Sequence, residues 1–167
     1  MENLINFDEL RRMTKKESRP MFQCVHIENE KLYWTNAFYA VVIGGYQDQD
    51  NRTINLFNFK TSAGNYPNLI EVLNKLEFIE THWELVATKV WNDYCYVPSY
   101  QPIHYYRISF DRKIMEQVRK IAKWEFTFDK IKISKNGLMG LVENGDVKIY
   151  FMLQREQTKV KEKTQDE

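Results

Sequence analysis

Two cysteines, Cys24 and Cys95, cannot staple a chain of 167 residues, and they form no CxxC pair. A disulfide framework is therefore excluded, and the expectation is reduced thiols in a cytoplasmic protein. Charge of one sign is also lacking: the net charge is +1, so bulk charge gives no argument for nucleic acid. Any such argument rests on how the charges are distributed. No apolar run approaches the ~20 residues that a membrane span needs. The opening MENLINFDEL carries acids early and has no apolar core, so neither a signal peptide nor a membrane partner is expected. There is no GxSxG around Ser99, no local protease motif around Cys95, and no phosphate loop. The expectation is a protein that is not an enzyme and takes no cofactor and no metal.

What remains is ordinary for one globular domain: 43% hydrophobic and 28% charged residues, with aromatics high at 14%. FDELRRMTKK, Phe7 to Lys16, reads as a helix with Asn6 as N-cap, acids at its start and bases in its later turns. Pro20 follows it. Met21 to Glu28 alternates as a strand, ENEK is a turn, and Leu32 to Ile43 reads as a second, longer strand ended by Gly44 and Gly45. Thr53 to Phe59 alternates again, with the rings of Phe57 and Phe59. NLIEVLNKL, Asn68 to Leu76, predicts a short helix with Leu69, Val72, Leu73 and Leu76 inward. Trp83 to Val90 predicts a strand. Asn92 to Pro102 reads as irregular because of Pro98 and Pro102, and Tyr105 to Ser109 as strand.

DRKIMEQVRKIAK, Asp111 to Lys123, is the clearest helix, with Ile114, Val118, Ile121 and Ala122 as its apolar stripe. Asn136–Gly137 and Asn144 to Asp146 are hairpin signals in an alternating C-terminal third. From Gln154 on, the polar sequence predicts a disordered tail. The second half repeats the helix-then-hairpin order of the first.

Both helices carry cations on their outer sides: Arg11, Arg12, Lys15 and Lys16 on the first, Arg112, Lys113, Arg119, Lys120 and Lys123 on the second, with Arg19 nearby. Against a near-neutral total, charge is segregated. Two readings stand: these side chains solvate helix surfaces, or they lie together along a phosphate backbone.

Four segments resemble a DNA sliding clamp domain, the unit of polymerase processivity factors, and here the single-domain phage type. FDELRRM followed by SRPMFQCVHIENEKLYWTNAFYAVVI is similar to the first helix and strands, with Thr35–Asn36 where the family often has Thr-Asp. NYPNLIEVL resembles the family's Tyr/Phe-Pro-Asn/Asp segment. ISFDRKIMEQVRKI resembles the second helix with its lead-in. VKIYFMLQR resembles the closing strand, with Leu153 and Gln154 where the family ends in Met-Pro and a basic residue. The resemblance implies an α+β, DNA-clamp-like fold, two helices packed on antiparallel sheets with an internal pseudo-twofold. That domain spans 1–155 with an aromatic-rich insertion at about 78–107, and 156–167 form a tail. It implies a non-enzymatic accessory factor in DNA replication whose helices face duplex DNA without reading sequence. The family builds its rings from six such domains, so a ring would need self-association of six copies through edge-strand pairing. The alternative is a protein-interaction module that keeps the fold without DNA.

Within the insertion, Trp83, Trp91, Tyr94, Tyr96 and Tyr100, with Tyr105 and Tyr106, leave three readings open: core, an interface for an unidentified protein partner, or a stacking platform for single strands. Cys24 and His26 with Cys95 and His104 fit no zinc spacing, and core positions are expected of them. His82 beside Glu80 and Glu84 reads as surface. A substrate-sized pocket at His82 or Cys95 would favour an enzyme instead.

Overall fold

The computed structural model describes residues 3–46, 51–79, 83–87, 94–98, 106–110, 112–127 and 130–157. The chain is α+β, and every paired strand runs antiparallel to its neighbour.

Helix α1, Phe7–Thr14, starts where Asn6 Oδ1 accepts the N–H of Glu9 at 3.3 Å. A short 3₁₀ turn, Pro20–Gln23, then occupies part of the segment expected as strand, because Pro20 sets the turn geometry at its first position. Strands β1, Cys24–Glu28, β2, Lys31–Thr35, and β3, Tyr39–Ile43, form a meander. The expected long strand Leu32 to Ile43 is thus two strands. Asn36 makes the break: its Oδ1 accepts from the N–H groups of Phe38 and Tyr39, and Ala37 sits at φ 78°. Strand β4, Arg52–Asn55, pairs with β1 and ends before Phe57 and Phe59.

Helix α2, Leu69–Asn74, is followed by β5, Phe78–Ile79, β6, Trp83–Ala87, β7, Tyr94–Pro98, and β8, Tyr106–Phe110. The segment expected as irregular therefore holds a strand, with Pro98 at its end, where no further ladder bond is required of it. Helix α3, Arg112–Ile121, precedes a second meander of β9, Lys132–Ser134, β10, Met139–Asn144, and β11, Val147–Met152. Gly137 and Gly145 sit at φ 72° and 57° in its turns. The first residues of the expected tail form β12, Gln154–Gln157, paired with β8.

One sheet has eight strands in the order β4-β1-β2-β3-β11-β10-β9-β5; β12-β8-β7-β6 form another. The larger order is symmetric about the β3–β11 border, with one helix-then-meander unit on each side. The resemblance implies two sheets for these units. Here they are fused, because β3 and β11 pair over Val147↔Ile43 through Phe151↔Tyr39.

Alternation assigns the sheet's two faces. Val25, Ile27, Trp34, Val41, Val142, Ile149 and Phe151 point to α1 and α3 and form the main core with Leu10, Val118 and Ile121. Tyr33, Val42, Leu141 and Tyr150 point the other way and pack with Leu69 and Leu73 of α2. Val72, expected inward, is 56% exposed, since a six-residue helix turns only one narrow stripe to the sheet.

Candidate nucleic-acid interface

The two cationic helices lie side by side and run in opposite directions. A backbone bridge pairs Ile5 with Ala122, and Asn6 N–H donates to Ile121 O while Lys123 N–H donates to Leu4 O, both at 2.9 Å. Near the middle of the pair, Gln117 Nε2 donates to Glu9 Oε1 at 2.8 Å and Arg12 Nη2 donates to Gln117 Oε1 at 3.1 Å. Arg12 also forks onto both oxygens of Glu9. The Arg12 guanidinium holds the Glu9 carboxyl below its ordinary value, aided by Gln117 and Lys120 against a smaller desolvation that raises it.

Because that value is lowered, the stability it brings is full above the unfolded Glu9 value and is lost as pH falls through the folded one. Glu9→Gln is therefore expected to cost about 1 kcal/mol at pH 7, Arg12 being largely exposed. Urea unfolding should show the wild-type advantage shrink and then vanish as pH falls below the ordinary carboxylate range. An unchanged difference at acid pH would show that the charge of Glu9 is not its source.

Of the nine expected phosphate contacts, six lie within α1 and α3 and Lys15, Lys16 and Lys123 just beyond their C-terminal ends, and their surroundings differ. Arg11 bonds Asp8 at 2.6 Å and donates Nε to Leu56 O at 2.8 Å. Arg12 is held by Glu9, and Arg112 by Glu116 at 3.1 Å. Arg119 leans over the Phe126 ring at 5.9 Å. Lys113 is exposed. Lys15, Lys16, Lys120 and Lys123 are exposed, and among the described residues none sits within ion-pair distance of a carboxylate, Lys120 acting on Glu9 only through its field. Antiparallel packing puts Lys15 and Lys16 toward the start of α3, and Lys120 and Lys123 toward the start of α1. The cations thus span about 15 Å, the length of roughly four to five phosphates along one strand.

The expected partner-binding aromatics are not brought into a described cluster. The backbones of Trp83, Tyr94 and Tyr96 lie in β6 and β7. Their side chains, and Trp91 and Tyr100 altogether, lie outside the described residues, as do His82 and His104 and the side chain of Cys95. Cys24 is buried, and burial pushes its thiol up, which makes it an inert core residue. Among the described residues no cluster of His, Cys, Asp or Glu could hold a metal ion. None of the described helices is long and apolar enough to cross a membrane.

A feature missed in the sequence lies on the opposite face of the large sheet. A groove of about 800 Å³ runs past His26, Glu28, Tyr66, Asn68, Glu71 and Lys75. His26 bonds Thr53 Oγ1 through Nδ1 at 2.9 Å and Glu28 through Nε2 at 3.0 Å. Tyr66 stacks on it with ring centroids 5.1 Å apart. The His-x-Glu spacing on one strand face was a usable signal; the cross-strand Thr53 was not, because register is not written locally. Thr53 is 4% exposed, so its hydroxyl serves the sheet rather than a substrate.

The chain matches no protein-family model, no curated protein and no solved structure at a significant level.

Proposed function

We propose that this protein is a DNA-clamp-like, non-enzymatic accessory factor that holds duplex DNA by its phosphates against α1 and α3. One observation carries the reading: two antiparallel helices, packed on one face of a sheet, turn their apolar stripes inward and their lysines outward. The symmetric strand order supports the internal pseudo-twofold that a clamp domain has. Such a surface positions a backbone and reads no bases.

The test is the salt dependence of affinity for a mixed-sequence duplex. With roughly five phosphates neutralised, the log–log slope is about −4.5, a loss of a few hundredfold between 50 and 200 mM salt. A flat salt response would end the duplex reading.

A second reading, a protein-interaction module on the same fold, is favoured by the carboxylates that already hold Arg11, Arg12 and Arg112. Among the described residues the large sheet ends in a four-residue and a two-residue strand, short edges that disfavour pairing with another copy into a ring. Light scattering separates these: a discrete multimer of ring size supports encirclement, and a monomer at all concentrations removes the preassembled ring and favours open-face binding or the interaction module.

A further inference from the structure

The loop between β4 and Thr61 does something that neither the core nor the helix pair requires. It holds Phe57 41% exposed and Phe59 69% exposed, whereas Leu56 between them and the strand is buried. The backbone is fixed for this display. Asn55 Oδ1 accepts the N–H groups of Phe57 and Asn58 at 2.8 and 3.2 Å, and Asn58 Oδ1 accepts that of Lys60 at 2.9 Å. Phe59 N–H and Asn55 O meet at 2.9 Å, and Ile54 bridges back to Thr61. Phe59 itself sits at φ 58°, a strained conformation for a bulky residue. Polar bonds and strain are thus committed to keeping two rings in water.

The rings stand beside the cationic helix. Arg11 donates to Leu56 O in this same loop, and its guanidinium lies over the Phe59 ring at 5.6 Å from the centroid. Lys15 is one helical turn beyond Arg11 on the same side, and Lys60 follows Phe59 directly. Exposed ring faces next to exposed lysines match the two parts of a nucleotide with unstacked bases: π-surface for the base, positive charge for the phosphate. A duplex offers only the second part, because its bases are already stacked. A lipid surface fits less well, since two rings separated by Asn58 give little apolar area to bury.

We infer that the Asn55–Lys60 loop is a base-stacking platform for single-stranded nucleic acid, continuous with the phosphate-binding face of α1. The inference rests on the DNA reading above and adds to it a preference for duplex that carries a single-stranded extension.

The experiment compares a fluorescent blunt duplex with the same duplex bearing an oligo-dT extension on either strand, for wild type, Phe57→Ala/Phe59→Ala and Phe59→Leu. Wild type should bind one tailed duplex at least tenfold more tightly than the blunt one, at about tenfold per stacked base. The double alanine variant should lose that preference and keep blunt-duplex affinity, salt slope and melting temperature. Phe59→Leu keeps apolar bulk without the ring face and should lose most of the preference too. Equal wild-type affinity for blunt and tailed duplex overturns the platform and leaves the duplex reading intact. A preference that survives the double alanine variant also overturns it. Loss of all DNA binding by wild type overturns both, and ring-dependent binding to phosphatidylserine vesicles without the tail preference replaces the nucleic acid by a membrane.

Discussion

Gly140→Ala should destabilise the protein by about 2–3 kcal/mol, and Phe151→Ala by about 4 kcal/mol, with a drop of roughly 10 °C in melting temperature for the latter. Gly140 and Phe151 are directly opposed on β10 and β11. A Cβ at position 140 would stand 2.4 Å from Phe151 Cζ and 2.5 Å from Cε2. The ring is fully buried against the main core and cannot swing away. The backbone at Gly140 is not in the left-handed region, so the penalty is steric: an aromatic ring covers a glycine across the ladder.

Removing the ring instead opens a cavity where β11 meets β3, the border that joins the two meanders. The two changes should therefore couple. In the Phe151→Ala background, Gly140→Ala fills space rather than clashing and should be neutral or stabilising, a coupling of about 2 kcal/mol. Urea midpoints of the four proteins measure it. A Gly140→Ala single variant within 0.5 kcal/mol of wild type, on the ordinary scale of surface changes, would mean the ring does not lie there.

What could be read in the sequence follows what is encoded locally. The α3 stripe of Val118, Ile121 and Ala122 was legible because helical spacing reports burial directly, and the two Asn-Gly turns because they require a positive φ. The Asn36–Phe38 break was hidden, since no glycine or proline marks it and a side-chain amide with a left-handed alanine makes the turn. Strand β12 was hidden for the opposite reason: Gln154–Gln157 is as polar as a tail, and its pairing with β8 lies in long-range register. Phe57 and Phe59 fit strand alternation, yet Asn55 and Asn58 redirect the backbone into a loop. At the helix pair the cations were evident in the sequence. Their carboxylates at i−3, Asp8 and Glu9, were equally visible, but only the packed pair shows Glu9 held by Gln117 across the interface.

That difference decides which lysines to change. Arg12 and Arg112 already face their own carboxylates, and Arg119 is engaged with Phe126, so removing any of them perturbs the helices along with the field. Lys15, Lys16, Lys120 and Lys123 are exposed at both ends of the pair, and converting all four to Gln leaves the apolar stripes untouched. Folding and melting temperature should be nearly unchanged, since surface substitutions away from special contacts stay within about 0.5 kcal/mol each. Duplex affinity at 0.1 M salt should fall on the order of a thousandfold, and the salt slope should shrink by about four contacts' worth. Binding that persists in the quadruple variant at low salt with an unchanged slope would place the phosphates elsewhere on the molecule. A parallel loss of fold, seen by circular dichroism, would instead show that these lysines support the helix pair. Reverting the charges with Arg then separates the two, because guanidinium restores the field and the phosphate contacts without restoring an ammonium-specific packing role.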